Sequence, residues 1–147
     1  TPMSAAPKGV DIALINRLTD AGLRPTRQRL ALAELLFADG DKHITAEQLF
    51  DQARHANQRV SLATVYNTLN QFAEAGLLHA VTVDQGRTYF DTNVSDHHHF
   101  FFEDSGRLTD IPRDAIKVVG QPDAPDGYQI DDIQVVVRVK RDSETAR

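Results

Sequence analysis

Apolar positions recur at helical spacing along the first half of the chain and alternate along much of the second. Ile12, Leu14, Ile15 and Leu18 share one side of a helix that starts at Asp11, and Gly22 suits its end. Pro25-Thr26 starts a second helix with Leu30, Ala33, Leu36 and Phe37 turned inward, until Asp39-Gly40-Asp41 breaks it. Thr45-Ala-Glu-Gln48 has the form of a capping box, in which the Thr hydroxyl accepts the N3 amide while Gln48 reaches back to the cap. The helix it opens buries Leu49, with Phe50 as a second candidate, and ends near Asn57. A fourth helix runs from an N-cap at Ser61 to Gly76, with Leu62, Val65, Leu69 and Phe72 as its apolar stripe.

Two short alternating strands follow, about Leu78–Val83 and Arg87–Asp91, joined across Asp84-Gln85-Gly86 as a hairpin. Short helices and then a hairpin is the order of a winged helix. Beyond it, His97–Glu103 and Arg107–Asp110 predict a second hairpin around Asp104-Ser105-Gly106, and a short helix is expected over Arg113–Val119. Gln121–Gly127 is a Pro/Asp/Gly loop, and Ile133, Val135, Val137 and Val139 alternate in a final strand whose pattern Val136 interrupts. The expected fold class is α+β: a winged helix over residues 10–85, then a small, β-rich α/β domain over residues 86–141. Residues 1–9 and 142–147 are read as tails.

The 147 residues are 41% apolar, enough for a packed core, although two small domains would each be marginal alone. A second lobe of this size often gains its stability from dimerisation. No run of about 20 apolar residues is present to span a membrane. The N-terminus lacks the layout of a signal peptide, so the expected location is the cytoplasm. The absence of cysteine excludes disulfides, thiolate zinc sites and a cysteine nucleophile.

The net charge of −5 does not by itself suggest nucleic acid. Its distribution is more informative: residues 1–85 carry 8 Lys+Arg and 9 Asp+Glu, the remainder 8 and 12. The near-neutral half groups its bases at Arg24, Arg27 and Arg29, and local basic patches set phosphate binding. In a helix-turn-helix the second helix of the pair lies in the major groove. Here that helix is the fourth, and at 100° per residue it turns Ala63, Thr64, Asn67 and Gln71 away from its apolar stripe, with Tyr66 at the boundary. Asn and Gln can pair with adenine, and Thr can contact a thymine methyl. Arg24, Arg27, Arg29 and Arg59 would hold phosphates. The competing reading is an ordinary solvated helix face; the near absence of charge on this one favours binding.

Asp96-His97-His98-His99 precedes Phe100-Phe101-Phe102, so the histidines open a strand. Alternate residues share a face, which turns His97 and His99 one way and His98 the other. Two imidazoles on one face can chelate a divalent ion. Further ligands must come from elsewhere, with Asp91, His43 and Asp110 as candidates. Imidazole and carboxylate donors suit Fe, Mn, Zn or Co. An internal run of this kind is not an expression tag; the remaining alternative is a solvated strand end. His55 and His79 read as ordinary surface or boundary residues.

Four stretches together resemble the ferric uptake regulator (Fur) family: Gly22-Leu-Arg-Pro-Thr-Arg-Gln-Arg29, His43-Ile-Thr-Ala-Glu47, Ser61-Leu-Ala-Thr-Val-Tyr-Asn-Thr-Leu69 and Asp91…His97-His-His99. The resemblance spans about residues 10–140. It implies a winged-helix DNA-binding domain, a C-terminal α/β dimerisation domain, a homodimer on double-stranded operator DNA, and one divalent metal per subunit (Fe²⁺, Mn²⁺ or Zn²⁺) between the domains. By position, the family's regulatory ligands fall on His43, Asp91, His97 and His99, and its DNA-contacting tyrosine on Tyr66. Asp110 matches a fifth ligand of the peroxide-sensing branch, which also carries Asp at the position of Asp91. The paired-cysteine structural zinc site is absent, with Phe102 and Ser105 where its first pair would be, and Ile133 stands at a ligand position of a further site. With the shortened helix and the triple histidine, these departures resemble the iron response regulators (Irr-type) of alphaproteobacteria. That implies iron or haem as the signal, with His97, His98 and His99 as candidate haem ligands, although the Cys-Pro haem motif is absent.

Three functions are consistent with these residues: a repressor governing iron or haem homeostasis, a peroxide sensor in which metal-catalysed oxidation strikes His43 or His97, and a non-haem metalloenzyme using two histidines and a carboxylate. The winged-helix organisation and the lack of a substrate-cradling motif favour a regulator over an enzyme.

Overall fold

A computed structural model describes residues 11–84, 87–95 and 97–143. The expected N-terminal tail, the Gln85-Gly86 corner, Asp96 and residues 144–147 of the C-terminal tail lie outside the described residues. The chain forms two compact units, the first ending at Val94 and the second beginning at Ser95.

In the first unit, α1 (Ile12–Asp20), α2 (Arg27–Phe37), α3 (Ala46–His55) and α4 (Leu62–Glu74) are each opened by the side chain of their N-cap residue. Asp11 accepts from Ala13 at 2.9 Å, and Ser61 accepts from Thr64 at 3.0 Å. The capping box at Thr45 is complete: Gln48 N–H donates to Thr45 Oγ1 at 3.1 Å, and Thr45 N–H donates to Gln48 Oε1 at 3.0 Å. At the end of α4, Gly76 takes φ +84°, so the Leu77 amide can close on Phe72 O at 2.9 Å. Asn57 turns α3 the same way at φ +58°.

Leu14, Leu18, Leu32, Ala33, Leu36, Leu49, Val65, Leu69 and Phe72 close one core over Ile44 and Phe90. Each large side chain fully withdrawn from water contributes roughly 1.5–3 kcal/mol. Ile12 departs from expectation, being 68% exposed. It stands about 200° around the helix from Leu14, and the Leu14–Leu18 row is the side that packs.

The hairpin of β2 (His79–Asp84) and β3 (Arg87–Asp91) forms as expected. A further two-residue strand, β1 (His43–Ile44), pairs with the other edge of β3, giving the antiparallel order β1-β3-β2. Lys42 and Thr92 extend that ladder, with Thr92 N–H donating to Lys42 O and Lys42 N–H to Thr92 Oγ1. Because β3 is the central strand, it cannot part from the first unit. The division therefore falls after Val94, beyond the 85/86 boundary expected from sequence.

In the second unit, β4 (His98–Phe102) lies between β5 (Leu108–Ile111), antiparallel to it, and β6 (Val136–Val139), parallel to it. Phe101 and Leu108 are buried as a directly opposed pair. The tight turn is closed by Phe102 and Arg107, whose backbones bond at 2.9 Å while the guanidinium stacks 4.6 Å over the Phe102 ring. The helix expected over Arg113–Val119 shrinks to a 3-10 turn, Arg113–Ala115, with no side-chain cap. Ile116 is already extended, and the β-branched pair Val118-Val119 followed by Gly120 does not restart a helix. β6 begins at Val136, later than the alternation from Ile133 suggested.

Candidate metal centre and nucleic-acid interface

The first unit offers two metal donors. β1 and β3 place His43 directly opposite Asp91, so both side chains leave the same face of the sheet. His43 Nε2 lies 3.1 Å from Asp91 Oδ2, and the Asp91 side chain is fully buried. Its other oxygen, Oδ1, accepts the Asn93 amide at 2.9 Å, which fixes the carboxylate plane. His43 owes its place to the strand that sequence periodicity did not reveal.

The second unit offers three donors. His99 opposes Asp110 across β4 and β5, and His97 lies two residues from His99 on the same face. Asp110 Oδ1 is 3.2 Å from His97 Nε2 and 3.5 Å from His99 Nε2. The two imidazoles meet edge to face, with centroids 4.5 Å apart. His97 Nδ1 donates to the Ser95 carbonyl at 2.6 Å, which fixes the ring with Nε2 toward Asp110. These three residues each present a ligand atom within 4.8 Å of the others.

The donor chemistry of both groups fits a divalent ion. Ligand atoms bound at about 2.0–2.1 Å lie roughly 3.0 Å apart at octahedral angles and about 3.4 Å apart at tetrahedral ones. Two of the observed separations, 3.1 and 3.2 Å, fall within that range, and the third, 3.5 Å, lies just above it. His98 faces the other way: its Nδ1 accepts the Val135 amide at 3.1 Å, pinning the approach to β6 and leaving only Nε2 for any other ligand.

In the helix-turn-helix pair, α3 and α4, the α4 side chains expected to face outward do so. Ala63, Tyr66, Asn67 and Gln71 are exposed and Thr64 is half-buried, while Val65, Leu69 and Phe72 face the core. An open groove of about 390 Å³ gathers Arg24, Thr26 and Arg29 with Thr64, Asn67 and Gln71. Arg29 spans it, donating from Nη1 to Arg24 O at 2.9 Å and from Nη2 to Gln71 Oε1 at 3.0 Å. Gln71 is thereby oriented with its amide NH₂ available. Arg27, Arg59, Ala63 and Tyr66 do not line this groove; both arginines are exposed.

Tyr66 donates its hydroxyl proton to Glu47 Oε2, in the first turn of α3. That bond, followed by partial burial and the carboxylate charge, raises the phenol above its ordinary pKa. Sequence reasoning passed over Glu47 because an acid in a first helical turn is ordinary; only the packing of α3 on α4 gives it a partner. Among the described residues, no helix is long and apolar enough to cross a membrane.

The sequence profile of the ferric uptake regulator family matches residues 20–138. The chain is similar to the ferric uptake regulation protein of Vibrio cholerae serotype O1, with 35% identity over 101 residues, 68% of this chain and 67% of that protein. Its fold is similar to the crystal structure of the Vibrio cholerae ferric uptake regulator, with a TM-score of 0.67 and 25% identity over 87% of this chain and 99% of that one. It is similar also to the ferric uptake regulator from Pseudomonas aeruginosa solved with manganese, with a TM-score of 0.64 and 25% identity over 86% and 96% of the two chains. The chain therefore belongs to the ferric uptake regulator family.

Proposed function

We propose that this protein is a homodimeric, metal-dependent repressor governing iron homeostasis, which binds double-stranded operator DNA through α4 and the arginines flanking it. One divalent ion per subunit, Fe²⁺, Mn²⁺ or Zn²⁺, takes its ligands from His43, Asp91, His97, His99 and Asp110. The observation that carries the reading is the pair of donor groups, His43 with Asp91 and His97 with His99 and Asp110, each built within one unit. Asp91 closes β3 and His97 precedes β4, on either side of the division at Val94/Ser95. An ion that draws on both groups restricts how the units can be arranged. It favours the DNA-competent arrangement by the difference in its affinity for the alternatives. The family's proteins are transcription regulators, and the metalloenzyme reading falls away with that assignment.

The metal-free protein, metal-loaded protein and His97→Ala/His99→Ala variant, titrated against duplex DNA with and without Mn²⁺, test this. Metal-dependent affinity in the wild type and its loss in the double variant are expected. Tight binding indifferent to metal in both proteins would refute the switch.

The Irr-type reading makes iron or haem the signal, and titration with haemin tests it through loss of the haem spectrum in a His97→Ala/His98→Ala/His99→Ala variant. The carboxylates at Asp91 and Asp110 support a second reading, peroxide sensing. Treatment of the Fe²⁺-loaded protein with peroxide should then add the mass of one oxygen atom to His43 or His97 and abolish DNA binding. Unmodified histidines and intact binding would eliminate it.

A further inference from the structure

We propose that Glu47 determines base specificity: by accepting the hydrogen bond of the Tyr66 hydroxyl, it leaves the Tyr66–Glu47 pair able only to accept further hydrogen bonds, so the pair selects a base that offers an amino group. This rests on the reading of α4 as the groove helix.

Glu47 stands in the first turn of α3 and Tyr66 near the start of α4, the end of a groove helix that meets base edges. The bond joins the two helices of the pair, and both residues are exposed, with Tyr66 39% accessible. A phenol has one proton, and Tyr66 donates it in the bond to Glu47; an ionised carboxylate has none. Both groups therefore face outward as acceptors. In the major groove, adenine N6 and cytosine N4 are the donors, whereas guanine offers acceptors and thymine an acceptor and a methyl group. At neutral pH the phenol, ordinarily titrating at 10.0 and raised further by Glu47, carries its proton, so the hydrogen bond stands.

Gln71 supplies the contrast. Its Oε1 is occupied by Arg29, so its outward group is the donating NH₂. Tyr66 and Gln71 are five residues apart on α4, about 7.5 Å along the axis, or about two base-pair steps. The two groups also stand about 140° apart around α4, so its exposed surface carries the acceptor-only pair at one border and a donor further along and around the helix. The carboxylate also repels phosphate oxygens, so Glu47 disfavours sequence-independent docking at the point where Tyr66 sits.

The full chain loaded with Mn²⁺, as wild type, E47A, E47Q and Y66F, is selected against duplex DNA with a randomised central segment. The duplex chosen by the wild type and its single-base variants are then titrated. Wild type should prefer adenine or cytosine roughly tenfold at one position per half-site, and E47A and Y66F should fall to about twofold. E47Q, whose side-chain oxygen still accepts the phenol proton but whose NH₂ adds a donor to the pair, should keep a preference between those of wild type and E47A while binding unselected duplex more tightly. NMR of labelled tyrosine should show Tyr66 titrating at lower pH in E47A. A merely helix-stabilising Glu47 would lower the melting temperature and leave base preference unchanged. Unaltered base preference in E47A, or a Tyr66 titration that does not move, overturns the proposal. If the wild type selects no duplex, the α4 reading fails and the inference falls with it.

Discussion

Asp110→Asn tests the three-donor group with little change in shape. In the wild type one oxygen, Asp110 Oδ1, lies 3.2 Å from His97 Nε2 and 3.5 Å from His99 Nε2. For an ion about 2.1 Å from each donor, these separations correspond to angles at the ion of roughly 99° and 113°, one between the octahedral and tetrahedral values and one slightly wider than tetrahedral. The same oxygen can serve the ion with both imidazoles where they stand. Asparagine keeps the position and loses the charge. Loss of an outer-shell partner commonly costs 10–100-fold in metal affinity, and a direct ligand should cost at least the upper end, about 2.7 kcal/mol. Isothermal titration with Mn²⁺, with a chelator competition for the wild type, measures this directly. The Asp110 side chain is 39% exposed, so the metal-free variant should melt within about 2–3 °C of wild type. Wild-type affinity in Asp110→Asn would mean that Asp110 only pairs with its neighbouring histidines and that the donor group has been misread.

Phe72→Ala should destabilise the first unit by about 3–5 kcal/mol in urea denaturation, because Phe72 is fully buried among α-helical side chains. Thr45→Ala should cost about 1 kcal/mol by removing one arm of the capping box, measured in the same titration, and a neutral result would show that the cap is redundant. Saturating Mn²⁺ at about 100 times its Kd should stabilise the protein by about 2.7 kcal/mol, and that gain should vanish in His43→Ala if the ion draws on the first unit. The Tyr66–Glu47 bond has a defined pH signature. A phenol raised in the folded state contributes stability that is complete below its ordinary value of 10.0 and is lost as pH rises through the raised one. Denaturation across that alkaline window should show the loss in wild type and not in E47A.

Much of the first unit was legible because its signals are local. Helical periodicity, the Thr45–Gln48 box, the Ser61 cap and Gly76 each act within a few residues, and the alternating strands at β2 and β3 need only a tight corner. The His97/His99 pairing was legible for the same reason, since a strand alternates whatever surrounds it. The signal failed where a segment depends on a distant partner. Two residues, His43 and Ile44, are too few to show a period, and they become a strand only because β3 has a free edge to offer. The Arg113–Val119 segment has a helical look, yet β-branched residues and Gly120 leave it extended once no cap forms.

The sequence alone determined the four helices and the two hairpins in their order, the helix ends, the polar face of α4 and the residue types available to a metal, because each follows from the backbone conformation of a short stretch. Tertiary structure alone decided that His43 opposes Asp91, that Asp110 serves both His97 and His99 with one oxygen, and that β4 and β6 run parallel. It also decided that Arg29 orients Gln71 and that Glu47 accepts the hydrogen bond of the Tyr66 hydroxyl. These depend on strand register and helix packing across many intervening residues. There the burial of Leu49, Leu69 and Phe72 sets the positions, and the polar side chains take the partners that packing brings them.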